Sequence, residues 1–116
     1  MFLLAVPYLH QNKIVMRARA QAALEVATNL GMNIFCPAIY QHIIFERNNG
    51  YDCDGLYKLV AKGAEGVIIY KLPGYERDLG VKKSIEIATA LGIPIQMMDP
   101  YPHHMQGNYA DVWQTL

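Results

Sequence analysis

The chain has 116 residues, of which 53% are hydrophobic and 17% are charged. This balance excludes disorder for the bulk of the sequence and predicts one packed domain. Ten basic residues offset ten acidic ones, which argues against nucleic acid or an anionic membrane surface as a partner. No apolar run approaches the roughly 18 residues of a membrane span, and the short apolar start lacks a basic leader. We therefore expect a cytoplasmic protein.

Apolar strand-like runs alternate with helical segments along the chain. The strands are predicted at residues 2–6, 32–36, 66–72 and 93–98. Helices are predicted from Asn12 to Gly31, from Asp54 to Gly63 and from about residue 81 to Gly92. This order predicts a single-domain, Rossmann-like α/β three-layer sandwich with a mainly parallel sheet of four to five strands. Residues 1–98 form the predicted domain, and residues 99–116 form a tail that can dock on a neighbouring subunit, with a short helix at 109–116.

The loop after the third strand is the most informative candidate site. Ligands of open parallel sheets bind beyond the carboxyl ends of the strands. This loop enters a helix, whose N-terminal N–H groups favour a polar ligand, and Gly74 and Gly80 allow close approach of the backbone. Asp78 fits two roles equally well, as an acceptor for ligand hydroxyl groups or as the cap of the helix.

These segments resemble the nucleoside 2-deoxyribosyltransferase-like superfamily, most closely its small phage and bacterial branch of unknown function. The resemblance rests on Phe2-Leu3-Leu4-Ala5-Val6-Pro7-Tyr8, Arg19, Leu72-Pro73-Gly74-Tyr75, Asp78-Leu79-Gly80-Val81 and the stretch from Ala88 to Pro94. It covers about residues 1–98. It implies a homo-oligomer, a dimer or higher, whose sites are completed across subunits, and a nucleoside or nucleotide ligand.

The loops and the resemblance together define one set of candidate ligand-binding residues. The set consists of Tyr8, His10, Arg19, Asp54, Pro73, Gly74, Tyr75, Asp78, Gly80 and Ser84. In the family, an acid at the position of Asp78 binds a free 5'-hydroxyl, whereas a serine there binds a 5'-phosphate. Asp54 falls near the family's base-contacting acid but also fits a helix cap. Arg19 fits a ligand contact, a solvated position or an ion pair with Glu25 or another acid.

The resemblance fails at the nucleophile. In active members a glutamate four residues after the second glycine of the loop attacks the anomeric carbon, and here that position is Ser84. Glu86 lies two residues further, which turns its side chain about 200° around a helix. We therefore expect binding without cleavage, with Ser84 as a hydrogen-bonding residue. The alternative is an N-glycosidase or deoxyribosyltransferase that uses Glu86 or another acid such as Glu76.

No metal or cofactor is expected. His103 and His104 are adjacent, which makes a shared centre difficult, and no common zinc spacing is present. We interpret the two histidines as part of a surface tail. The resulting hypothesis is a protein that binds a nucleoside-like or nucleotide-like molecule. If the protein is encoded by a phage, it would sequester a defence signal in the host cytoplasm. The third interpretation is a structural remnant with an empty site.

Overall fold

The computed structural model describes residues 1–39 and 62–106. Within these ranges the strands are β1 (Phe2–Ala5), β2 (Ile34–Phe35), β3 (Gly66–Tyr70) and β4 (Ile95–Met98). The helices are α1 (Lys13–Asn29) and α2 (Leu79–Leu91), and two short 3-10 helices cover Tyr75–Arg77 and Pro102–Met105. The four strands form an all-parallel sheet in the order β2-β1-β3-β4. The predicted α/β fold is confirmed.

The two central strands are apolar throughout because both faces of the sheet are covered. Alternate residues point to opposite faces, so Leu4 and Ile68 pack in the core beside α1. Leu3 and Val67 pack in a second core with Val81 of α2. The helices thus lie on opposite faces of the sheet and complete three layers.

Capping residues and glycines fix both ends of α1 and the C-terminal end of α2. These ends lie where the sequence predicts them. The Asn12 side chain accepts a hydrogen bond from the N–H of Ile14 at 2.8 Å, which caps the first turn. Gly31 and Gly92 follow the two helices with φ of +62° and +69°. This left-handed conformation favours glycine because it lacks a Cβ.

The strands are shorter than predicted. β2 contains two residues because Pro37 begins a helical turn directly after Cys36. β4 begins at Ile95, one residue after Pro94, which has no N–H to donate to a ladder. Of the helix predicted at residues 54–63, only Lys62 and Gly63 are among the described residues, and the helix predicted at 109–116 lies outside them.

The described part of the tail folds back onto its own chain. The N–H of Tyr101 donates to the hydroxyl of Tyr70 at 2.7 Å, and Lys71 Nζ lies 2.6 Å from Asp99 Oδ1. These contacts attach residues 99–106 to the end of β3, and docking of the tail on a neighbouring subunit stays a prediction. In residues 1–39 and 62–106, neither helix combines the length and apolar character required to cross a membrane.

Candidate functional site

The strand order creates a switch point at the carboxyl edge of the sheet. β1 and β3 are adjacent, but the chain leaves β1 toward α1 and leaves β3 toward α2 on the opposite face. Such a reversal is the topological switch point at which open α/β sheets bind ligands. The loops that follow these strands, residues 6–12 and 71–78, contain most of the candidate residues. We call this place the switch-point crevice.

The side chain of Arg19 forms hydrogen bonds with both loops. Its side chain is buried, with 4% of its surface exposed. Nη1 donates to the carbonyl of Leu9 at 3.1 Å and Nη2 donates to the carbonyl of Pro73 at 3.1 Å. Burial lowers the pKa of Arg19, and the nearby carboxylate of Asp78 opposes that shift. Of the sequence alternatives for Arg19, solvation and pairing with Glu25 are wrong, and both bonds above are to the protein backbone.

Asp78, at the end of the second loop, forms a hydrogen bond with the first loop. Oδ2 accepts a hydrogen bond from the N–H of Val81 at 2.9 Å, which is the predicted helix cap. Oδ1 accepts one from the N–H of Tyr8 at 3.3 Å. Each carboxylate oxygen can accept two hydrogen bonds, and the residue is only half-buried. The capping role therefore leaves acceptor capacity for a ligand hydroxyl.

His10 adds a donor to the crevice. Its Nδ1 accepts a hydrogen bond from the N–H of Asn12 at 2.9 Å, so in the neutral ring Nε2 carries the proton. Burial, followed by the positive charge of Arg19, lowers the pKa of His10. Both effects favour the neutral ring, whose Nε2–H group is a hydrogen-bond donor.

The loop after β3 depends on one glycine. Gly74 has φ of +91°, and a Cβ placed on it would lie 3.1 Å from Nη2 of Arg19. Any larger residue would therefore be strained and would press on the guanidinium. Pro73, Tyr75 and Gly80 are half-buried. The sequence singles out this loop as a candidate site, although Arg19, which approaches Gly74, is 55 residues away in the chain.

Two of the candidate residues, Tyr8 and Ser84, are buried. Ser84 is buried on the core side of α2, and its hydroxyl donates to the carbonyl of Gly80 at 3.0 Å. Glu86, in contrast, is exposed on the same helix. Asp54 lies outside the described residues.

Sequence reasoning missed a second polar cluster, formed by Glu25, Tyr70, His103 and His104. His103 Nε2 lies 2.6 Å from Glu25 Oε1, and His104 Nε2 lies 2.7 Å from Glu25 Oε2. The interpretation as a surface residue is wrong for His104, which is fully buried, whereas His103 is exposed. Although the two histidines are adjacent in the chain, both rings reach the carboxylate of Glu25. The residues are 78 and 79 positions apart from Glu25, so no spacing rule signals the contact.

The two histidines also affect the acidity of their partner. Hydrogen bonds from His104 first, and then from His103, hold the pKa of Glu25 below its usual range. Glu25 is therefore ionised at neutral pH and binds both rings.

No family model matches the chain, and no curated protein sequence matches it. The strand order and the geometry of the crevice are therefore the basis for a functional assignment.

Proposed function

We propose that the switch-point crevice binds a small, hydroxyl-bearing molecule of the nucleoside class and holds it without cleaving it. The observation that carries this proposal is the position of Arg19 and Asp78. They tie together the two loops that leave β1 and β3 in opposite directions. A rigid crevice at this point of an α/β sheet is the usual place for a ligand.

The charges in the crevice favour a ligand that meets it through hydroxyl groups. The positive charge of Arg19 is directed at two backbone carbonyls and faces the carboxylate of Asp78. Asp78 offers acceptor atoms, and neutral His10 offers a donor. A sugar hydroxyl both donates and accepts hydrogen bonds, so it complements this pair, whereas a phosphate placed against Asp78 would be repelled.

The nucleoside class is supported by the sequence resemblance to nucleoside 2-deoxyribosyltransferase-like proteins. The absence of cleavage is supported by α2. Ser84, at the position of the family nucleophile, faces the core, and Glu86 is exposed about 200° further around the helix. A protein that retains its ligand intact would act by sequestering it, as a phage protein could do with a nucleotide-derived defence signal.

The proposal also includes assembly of the chain into a homo-oligomer, a dimer or higher. Light scattering after size-exclusion chromatography would measure the number of subunits.

The test is native mass spectrometry of the full chain with a panel of nucleosides, nucleotides, cyclic nucleotides and ADP-ribose-type molecules. Free base is assayed in the same samples. The panel identifies the best-retained nucleoside, which then serves as the probe for the variants. We expect the intact ligand to be retained and no base to be released.

Asp78→Asn is the decisive variant because asparagine still caps a helix well. It removes the negative charge and replaces one of the two oxygens that accept from Tyr8 and Val81 with an NH2 group, so we expect the nucleoside to bind about 10- to 100-fold more weakly. Glu65→Gln is the matched control, an exposed acid directly before β3 at the opposite edge of the sheet, and should bind as the unmodified chain does. Equal weakening by the two variants would contradict the proposed contact. Base release that is lost in Glu86→Gln would show that the protein is an enzyme.

A further inference from the structure

The cluster of Glu25, His103 and His104 lies outside the switch-point crevice. Glu25 follows Arg19 by six residues, about 9 Å along α1 at 1.5 Å per residue. The cluster joins the middle of α1 to the 3-10 helix that follows β4. We propose that it is a binding site for a divalent transition-metal ion of the zinc type, with both histidine Nε2 atoms and one carboxylate oxygen as ligands.

The ligand atoms are close enough to share one ion. One atom from each of the three residues lies within 4.8 Å of the others. Bonds of about 2.0–2.1 Å in a tetrahedral site place neighbouring ligand atoms roughly 3.3 Å apart. The two nitrogen–oxygen contacts are now 2.6 and 2.7 Å. A shift of the Glu25 carboxylate by a fraction of an ångström makes room for the ion. The Nε2 protons of the two histidines, which now point at that carboxylate, are lost when the ion binds.

The chemistry of these ligands selects the class of metal. Imidazole suits zinc, copper, nickel and iron, whereas magnesium and calcium prefer sites made of oxygen atoms. Two histidines and a glutamate form a known zinc ligand set that leaves a position for water. His103 is exposed and Glu25 is partly exposed, so an ion and its water can reach the site.

The fold holds the least exposed ligand in place. His104 is fully buried, and its Nδ1 lies 2.6 Å from the hydroxyl of Tyr70. A histidine that binds metal through Nε2 carries its proton on Nδ1 and needs an acceptor there. The hydroxyl of Tyr70 is that acceptor, and it is fixed in turn by the N–H of Tyr101 at 2.7 Å. Of the three ligands, His103 and Glu25 are the ones that must adjust.

The site can be tested by isothermal titration of the metal-free, untagged full chain with Zn²⁺, and with Mg²⁺ as a comparison. We expect one Zn²⁺ site and no Mg²⁺ binding. His103→Ala should weaken Zn²⁺ binding at least tenfold, and because His103 is exposed this change should leave the fold intact. Glu25→Gln should have the same effect. Tyr70→Phe, which removes only the hydroxyl, should cost about 10- to 100-fold in affinity.

Two matched controls separate ligation from a general effect on the tail or helices. Gln106→Ala changes an exposed residue beside the 3-10 helix, and Glu86→Gln changes an exposed helical glutamate. Both should bind Zn²⁺ as the unmodified chain does. The visible spectrum of bound Co²⁺ should change in His103→Ala and remain the same in the controls. A Zn²⁺ site that survives both His103→Ala and Glu25→Gln, or no Zn²⁺ binding at all, would overturn the proposal.

Discussion

Replacement of Arg19 by methionine would remove the connection between the loops of the switch-point crevice while keeping a long apolar side chain. Arg19 makes two hydrogen bonds at 3.1 Å to the carbonyls of Leu9 and Pro73. Bonds from a charged donor contribute about 1.5–3 kcal/mol each to stability. Methionine offsets part of this loss because it removes the cost of burying the charge, and water can reach the carbonyl of exposed Leu9.

We therefore expect Arg19→Met to lower the free energy of unfolding by about 2–4 kcal/mol. For a chain of this length the unfolding entropy is about 0.24 kcal/mol/K, so the melting temperature should fall by about 8–16 °C. Urea denaturation followed by circular dichroism measures the first quantity, and calorimetry measures the second. Retention of the nucleoside should decrease in the same variant, because the two loops are no longer held together.

Arg17→Met is the matched control, since Arg17 is exposed on the same helix. Because interactions of an exposed charged side chain contribute little, it should change stability by no more than about 1 kcal/mol. Arg19→Lys keeps the charge but lacks the fork that reaches two carbonyls, so it should lie between the control and Arg19→Met. If Arg19→Met is as stable as Arg17→Met, the two loop contacts do not stabilise the protein and the reasoning fails.

Three further outcomes follow from single sites. Gly74→Ala should destabilise the protein more than Gly92→Ala, because both force alanine to a positive φ but only the first places a Cβ within 3.1 Å of a guanidinium; equal unfolding free energies in urea would contradict that contact. Burial raises the pKa of Cys36 to about 11, so in a Cys53→Ser chain we expect a disulfide reagent at pH 8 to react only as fast as the protein unfolds, and rapid reaction of the folded chain would show that the thiol is accessible. Glu25 has a lowered pKa in the folded state, so its contribution to stability is complete above the usual glutamate pKa of about 4.3 and is lost as the pH falls through the lowered value. Melting temperatures of Glu25→Gln should therefore depend less on pH in this acid range than those of the unmodified chain, and parallel curves would refute the linkage.

Local patterns were sufficient for the fold. The apolar runs, the cap at Asn12 and the glycine stops at Gly31 and Gly92 each depend on residues within a few positions of one another. They predict where elements begin and end to within about two residues. The loop after β3 was also predicted as a site, because its position between a strand and a helix follows from the same local order.

The contacts of the candidate residues were harder to predict. Arg19 was assigned a possible role toward a ligand or Glu25, yet it binds the carbonyl of Pro73, 54 residues away. Asp78 was assigned either a cap or a ligand contact, and it caps α2 while also binding the N–H of Tyr8. Such contacts depend on the order of strands in the sheet, which local periodicity does not contain.

The sequence by itself therefore determined the type and order of the elements, because strand and helix periodicity, caps and glycine stops act over short distances. The tertiary structure decided which polar groups meet. It placed β1 beside β3 and thereby brought Arg19 and Asp78 to one crevice. It also folded the segment after β4 over α1, so that His103 and His104 reach Glu25. Packing of the two sheet faces selects these neighbours, and that selection depends on the whole chain.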